Sequence, residues 1–77
     1  MVSNKNLSKL IRDIRLATGL TQEQFASKLG VTFPTVNRWE NQKTTPSPLA
    51  IQKLQKLQKK LFRKGFKIEM LITGDYK

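Results

Sequence analysis

The sequence predicts an all-α fold, a compact bundle of about five short helices, because apolar residues recur with helical periodicity through most of its length. Glycines and capping residues divide this pattern into segments, which predicts several short helices rather than one long helix. A chain of 77 residues has room for one modest core, so we predict that residues 1–77 form a single domain.

The first helix is predicted from Leu7 to Ala17. Its inner face carries apolar residues spaced three and four apart, namely Leu7, Leu10, Ile11 and Ile14. Asn6 or Asn4 is the candidate N-cap, since asparagine side chains accept hydrogen bonds from free amide groups at a helix start. Gly19 is predicted to end the helix because glycine readily adopts a left-handed conformation.

The second predicted helix follows almost directly. Thr21 is its candidate N-cap, and Gln24 supplies the returning half of a capping box. The inner stripe of this helix consists of Phe25, Ala26 and Leu29. Gly30 then ends the helix, and Val31 is expected to be a buried plug.

The third predicted helix has Thr32 as its N-cap and Pro34 in its first turn, where proline removes no intrahelical donor. Val36 and Trp39 form its apolar pair, three residues apart. This spacing favours a core position for Trp39 over a role in stacking on bases. The helix is expected to end around Asn41.

A loop over residues 42–46 precedes a long fourth helix, predicted over about residues 48–64. Ser47 and Pro48 favour a helix start, since a capping hydroxyl comes just before a proline. Gly65 is expected to end this helix. Apolar residues at helical spacing form its predicted inner face: Leu49, Ala50, Leu54, Leu57, Leu61 and Phe62.

The C-terminal tail, residues 66–77, fits two interpretations. A strand is favoured by the alternation of Phe66, Ile68, Met70 and Ile72. A short helix is favoured by the spacing of Ile68, Leu71 and Ile72. Both interpretations stay open at this point.

The residue inventory argues against catalysis. The chain has no cysteine and no histidine, which removes thiolate chemistry, the commonest general base and the commonest transition-metal ligand. Its five acidic residues are scattered and form no obvious carboxylate pair. We therefore expect no enzyme activity, no catalytic residue, no metal and no cofactor.

The charge balance indicates a polyanionic partner. Fifteen lysine and arginine residues against five acidic ones give a formal net charge of +10. Composition alone leaves nucleic acid, an acidic protein and an anionic membrane as candidates. No apolar run is long enough to span a bilayer, and the polar start at residues 3–6 predicts no signal peptide. We expect a cytoplasmic, nucleoid-associated protein without a membrane partner.

Residues 21–41 form the most informative unit, two short helices joined by a tight turn at Gly30. Ala26 is small where the two helices must approach closely, and Val31 and Val36 are apolar where such a turn packs inward. This pattern is typical of a helix-turn-helix motif, which presents one helix to a DNA major groove about 12 Å wide.

From roughly Leu7 to Leu57 the chain resembles the Cro/phage-repressor-like (XRE-type) helix-turn-helix family of DNA-binding proteins. The residues that match the family are Gly19, Leu20, Thr21, Gln22, Phe25, Ala26, Leu29, Gly30, Val31, Thr32, residues 35–41, Lys43, Pro46 and Ser47. The resemblance implies a lambda-repressor-like fold that binds double-stranded DNA.

The resemblance also implies roles for individual residues. The positions that face base edges are Phe33, Pro34, Asn37 and Arg38. The positions that contact phosphates are Gln22, Thr35, Asn41 and Lys43, and Gln22 also steadies the recognition helix. Arg15 and Glu40 match a family pair that forms an internal salt bridge.

Side-chain chemistry agrees with these roles. Arg38 can bind guanine through a bidentate contact and Asn37 can pair with adenine, while Phe33 and Thr35 can contact thymine methyl groups. The alternatives are a solvated Arg38 and a Phe33 that packs on a neighbouring side chain. The basic face of the fourth helix is interpreted as solvated, with diffuse attraction to DNA: Lys53, Lys56, Lys59, Lys60, Arg63 and Lys64. Binding of that face to a membrane surface is the weaker alternative.

The chain departs from the family pattern in two places. Gln42 stands where the family usually has glycine, which raises the question of how the third helix ends. The fourth helix is longer than is typical, so the family's dimer contacts do not carry over. Apolar residues near the end form the candidate dimer surface: Phe62, Phe66 and Met70.

Two functions are consistent with these observations. The first is a small transcriptional regulator, a repressor that binds a palindromic operator as a homodimer. The second is an antitoxin that uses the same DNA-binding motif while its C-terminal part binds a protein toxin.

Overall fold

A computed structural model describes residues 4–66, which fold into four α-helices. In chain order these are α1 (Asn4–Thr18), α2 (Gln22–Leu29), α3 (Phe33–Glu40) and α4 (Pro48–Arg63). The described part of the chain contains no strand, which confirms the predicted all-α class. The predicted fifth element, helix or strand, begins at Phe66 and otherwise lies outside the described residues.

The first helix begins earlier than predicted. It starts at Asn4, so neither candidate N-cap, Asn4 or Asn6, holds that position, and both lie in the first helical turn. Leu7 and Ser8 are both buried, and their amide groups need hydrogen-bond partners one turn earlier in the chain. The helix therefore extends by one turn beyond its first apolar residue.

The predicted caps of the other three helices are confirmed. The hydroxyl of Thr21 accepts a hydrogen bond from the Gln24 amide at 3.1 Å, and the Thr21 amide donates to the Gln24 side chain at 3.0 Å. The hydroxyls of Thr32 and Ser47 cap α3 and α4 by accepting hydrogen bonds from the amides of Thr35 and Ala50. Gly30 has φ +74°, and this left-handed turn lets the Val31 amide reach the carbonyl of Ala26.

The core is formed by one apolar stripe from each helix. Its members are Leu7, Leu10, Ile11, Ile14, Phe25, Ala26, Leu29, Val36, Trp39, Ala50, Ile51, Leu54, Leu57 and Leu61. Val31, which was expected to be a buried plug, is half-buried and packs against this core. The buried hydroxyl of Ser8 donates to the carbonyl of Trp39 at 2.6 Å, which ties α1 to α3.

The predicted inner face of α4 was wrong at two positions. Leu49 and Phe62 are 62% and 59% exposed, whereas Ile51 and Gln58 are buried. Each residue turns the helix by about 100°. The buried stripe centred on Leu54 therefore includes Ile51 and Gln58, which are three and four residues away, and leaves Leu49 and Phe62 at its margins.

The helix arrangement leaves one face of α3 uncovered. α3 packs against α2 and α1, and α4 packs against the same two helices. Lys53 on α4 donates from Nζ to the carbonyl of Leu29 at 3.0 Å and so caps the end of α2. Within residues 4–66, no helix has both the length and the apolar character that crossing a bilayer requires.

Candidate nucleic-acid interface

The start of α3 is rigidly built. The hydroxyl of Thr32 accepts a hydrogen bond from the Thr35 amide at 3.3 Å and lies 2.8 Å from the Thr35 hydroxyl. Pro34 fixes the backbone in the first turn. The structure thus places Thr35 half-buried beside the cap, while Phe33 and Pro34 are exposed and Val36 is buried.

The outer face of α3 brings together the four residues that were predicted to read bases. Phe33 is 45% exposed, Pro34 and Arg38 are exposed, and Asn37 is half-buried. The side chain of Arg38 forms no ion pair or hydrogen bond with another residue of the described chain. A guanidinium held on an uncovered helix face retains all five donors for an external acceptor.

The opposite side of α3 is anchored by an ion pair. Arg15 on α1 donates from Nε and Nη2 to the two carboxylate oxygens of Glu40, at 2.7 Å and 3.1 Å. The third contact of Arg15 runs from Nη1 to the carbonyl of Leu20 at 3.1 Å. The two charged side chains are only 14% and 5% exposed, so solvent screens the pair weakly. The hydrogen bond to Glu40 raises the pKa of Arg15 above its ordinary value, and the guanidinium stays charged.

A chain of side-chain amides extends from this ion pair along α3. Gln22 at the start of α2 donates to Glu40 at 3.0 Å and accepts from Asn37 at 3.1 Å. Asn41 in turn donates to the side-chain and backbone oxygens of Asn37, at 3.1 Å and 2.9 Å. This amide relay connects α1, α2 and α3 through Arg15, Glu40, Gln22, Asn37 and Asn41.

The family comparison agrees with this geometry. The helix-turn-helix family matches residues 11–57, more than half of the chain. The chain belongs to the Cro/C1-type helix-turn-helix family. No curated protein and no solved structure matches it. The chain is therefore a sequence-specific, DNA-binding domain of a transcriptional regulator, and α3 occupies the position of the recognition helix.

The amide relay limits what Asn37 can do in this helix-turn-helix domain. Its side chain donates one hydrogen bond to Gln22 and accepts one from Asn41. A primary amide has two N–H groups and two lone pairs, so one donor and one acceptor remain. These are the two groups that a bidentate contact with adenine requires.

The recognition helix ends in a regular motif although Gln42 stands where the family usually has glycine. Gln42 has φ +63°, the left-handed conformation that favours glycine. The Lys43 amide donates to the carbonyl of Arg38 at 2.9 Å, and the Gln42 amide donates to that of Trp39 at 3.3 Å. This is the Schellman motif with which many helices end, formed here without glycine. Lys43 follows it as an exposed cation at the margin of α3.

Sequence reasoning missed several contacts that position the recognition helix. The bond from Ser8 to the carbonyl of Trp39 joins residues 31 positions apart, and no local pattern announces it. One signal was available, since a small polar residue stands on the inner face of α1 beside Leu7 and Ile11. The link between Gln22 and Asn37 joins residues 15 positions apart and depends on how α2 and α3 cross.

Proposed function

We propose that this helix-turn-helix protein is a transcriptional repressor that binds a palindromic operator as a homodimer. The observation that carries the proposal is the uncovered face of α3, where the exposed side chain of Arg38 has no partner among residues 4–66. The recognition helix enters the major groove, and α2 braces it from behind through Gln22.

Base reading is assigned to the outer face of α3. Arg38 forms a bidentate contact with guanine, and Asn37 uses its remaining donor and acceptor on adenine. Phe33 and Pro34 are exposed at the helix start and contact thymine methyl groups through apolar surface. Together these side chains distinguish the operator from other duplexes.

Phosphate contacts are assigned to the ends of the two motif helices. Gln22 lies at the start of α2, where free amide groups attract anions, and Thr35 lies in the first turn of α3. Asn41 and Lys43 are exposed at the other end of α3. The net charge of +10 adds attraction that does not depend on base sequence and that weakens as salt rises.

A homodimer accounts for the apolar residues that the fold leaves outside. Phe62 and Phe66 are exposed at the end of α4, while Met70 lies outside the described residues. Pairing of two chains through this end sets two recognition helices about one DNA turn, or 34 Å, apart. The protein then acts by binding rather than by catalysis, in the cytoplasm on nucleoid DNA.

The second candidate is an antitoxin. The same exposed aromatic residues at the end of α4 suit a protein toxin as well as a second copy of this chain. DNA binding through α3 would be common to both functions. Purification of the protein from its native host separates them, since an antitoxin brings one small partner in fixed stoichiometry whereas a solitary repressor does not.

A selection of random duplexes by the purified protein, at physiological salt, tests the proposed function. We expect an enriched palindrome whose half-sites are one helical turn apart, bound by two chains in sedimentation experiments. Binding without enrichment, at an affinity that simply falls as salt rises, would contradict specific readout by α3. Enrichment of a single half-site bound by one chain would contradict the dimer alone.

A further inference from the structure

A groove lies between the end of α2 and the length of α4. It consists of two adjoining depressions of about 370 and 360 Å³, which share Lys28, Leu57 and Lys60 as lining residues. Lys53 and Lys56 extend its rim. With Lys64 at the far end, these five lysines and Leu57 define what we call the lysine groove. None of the residues assigned to DNA reading or phosphate contact lines it.

The rim of the lysine groove carries one sign of charge. No acidic residue lines either depression, and none of its five lysines forms an ion pair within residues 4–66. The ion-paired acids of the described chain, Asp13 and Glu40, have Lys9 and Arg15 as partners. Lys53 donates to the carbonyl of Leu29, whereas the other four lysines have no hydrogen-bond or ion-pair partner among the described residues. The rim is therefore a positive surface without acidic partners in the described fold.

Lysine spacing along α4 makes this surface regular. Lys53, Lys56, Lys60 and Lys64 recur at intervals of three, four and four residues, which places them on one side of the helix. The stripe runs for about 16 Å, or three helical turns, given a rise of about 1.5 Å per residue. Like charges four residues apart on a helix repel each other, so an anionic ligand bound along the stripe reduces the repulsion between these lysines.

The floor of the groove is apolar rather than polar. Leu57 lies at the junction of the two depressions, and Leu29 and Leu20 line one each. A DNA backbone offers phosphates to the lysines but no apolar side chain for the floor, only the small C–H surface of deoxyribose. An amphipathic helix with acidic residues on its flank and apolar residues on its face matches both features.

We propose that the lysine groove binds an acidic amphipathic helix of about three turns from a partner protein. The apolar side chains of that helix lie on Leu57 and its neighbours, and its carboxylates lie against the lysines of α4 and Lys28. Because the groove and the reading face of α3 have no residue in common, this contact is an activity separate from operator binding. It gives the regulator a site through which an acidic protein can associate with it.

The probe for this proposal is a synthetic peptide of three helical turns, with leucines along one face and glutamates beside them. A peptide of identical composition but scrambled order is the control for charge alone. Both are labelled with a fluorophore and titrated with the full chain. We expect the ordered peptide to bind at least about tenfold more tightly than the scrambled one, since only it presents the two faces together.

Two neighbouring lysines provide a matched pair of variants. Lys60 lines both depressions, whereas Lys59 is exposed on the same helix and lines neither. Lys60→Glu and Lys59→Glu change the net charge equally. We expect Lys60→Glu to reduce the affinity for the ordered peptide by about tenfold or more, and Lys59→Glu to reduce it by no more than about threefold. Circular dichroism melting of both variants verifies that each is folded.

Several results would overturn the proposal. Equal losses from the two variants mean that the overall positive field attracts the peptide. Equal binding of the ordered and scrambled peptides also means that only the overall charge attracts them. If neither peptide binds, the groove is not a binding site for such a helix. If Lys60→Glu weakens operator binding as strongly as peptide binding, the lysines serve DNA instead. Operator binding that falls no further in Lys60→Glu than in Lys59→Glu, together with loss of ordered-peptide binding in Lys60→Glu alone, supports the groove independently of the proposed repressor function.

Discussion

The Nε atom of Arg15 lies 2.7 Å from Oε2 of Glu40, so the first helix directly holds the last residue of the recognition helix. Because Glu40 also accepts from Gln22, its carboxylate is the point at which α1, α2 and α3 meet. Without Arg15, a nearly buried negative charge would lose its only ionic partner among the described residues.

The first prediction concerns this ion pair. Arg15→Ala should lower the free energy of unfolding by about 2–4 kcal/mol, because Glu40 remains buried without its charged partner. Arg12→Ala is the matched control, an exposed arginine on the same helix whose loss should change stability by less than about 0.5 kcal/mol. Urea unfolding measures both. Equal effects of the two substitutions would mean that the ion pair adds nothing to stability.

The second prediction concerns the left-handed residue after α3. The free energy of unfolding of the Gln42→Gly variant should be about 1 kcal/mol higher than that of the Gln42→Ala variant, because φ +63° strains every residue that carries a Cβ atom. The alanine variant is the reference because it removes the same side chain but keeps the strain. Thermal unfolding of the two variants decides the matter, and a glycine variant that melts below the alanine variant would refute the strain.

The third prediction separates base reading from phosphate attraction. Arg38→Ala should relax preference at one base pair of each half-site, at a cost of about 1–3 kcal/mol on the preferred sequence. Lys43→Ala should weaken binding to all duplexes by the same factor, and it should reduce the slope of log affinity against log salt concentration by about one. Titrations of operator and mismatched duplexes at several salt concentrations test both. Sequence-blind losses from both variants would remove Arg38 from the reading face.

The fourth prediction concerns the amide relay. Gln22→Ala and Asn37→Ala should each weaken operator binding, and their effects should be coupled by at least about 0.5 kcal/mol, because the two amides form one hydrogen bond. A double-mutant cycle on operator affinity measures the coupling. Additive effects would mean that Gln22 contacts phosphate without positioning the recognition helix.

The fifth prediction tests the dimer surface. Phe62→Ser should shift the protein towards monomer in sedimentation equilibrium, because it removes an aromatic side chain from the proposed interface. Leu49→Ser is a closely matched control, since Leu49 lies at the other end of α4 and is 62% exposed against 59% for Phe62. Equal shifts, or no shift in either variant, would move the interface away from the end of α4.

The helical framework could be predicted because its signals are local. Thr21, Thr32 and Ser47 each precede a helix and accept the hydrogen bond that their side-chain chemistry favours. The start of α1 was harder, because the helix begins one turn before its first buried residue, Leu7, and the spacing of apolar residues does not predict that turn.

The candidate site was predictable in its residues but not in its connections. Family resemblance pointed to Gln22, Asn37 and Asn41 as contacts with DNA, and to Gln22 also as a residue that steadies the recognition helix, but it did not identify their bonds to one another. In the folded protein they bond to one another, which depends on the crossing of α2 and α3 and not on any spacing in the sequence. The exposure of Phe62 was likewise hidden, since periodicity alone does not determine where the margin of a helix face lies.

The two sides of α3 have different roles, since one packs in the core and the other faces outward. Val36 and Trp39 are buried, while Phe33, Pro34 and Arg38 contribute no side chain to the core. Selection can therefore exchange the outward residues for others without rebuilding the interior. A duplicated copy of this gene could acquire a new set of target promoters through a few substitutions on one helix, while inheriting its scaffold unchanged.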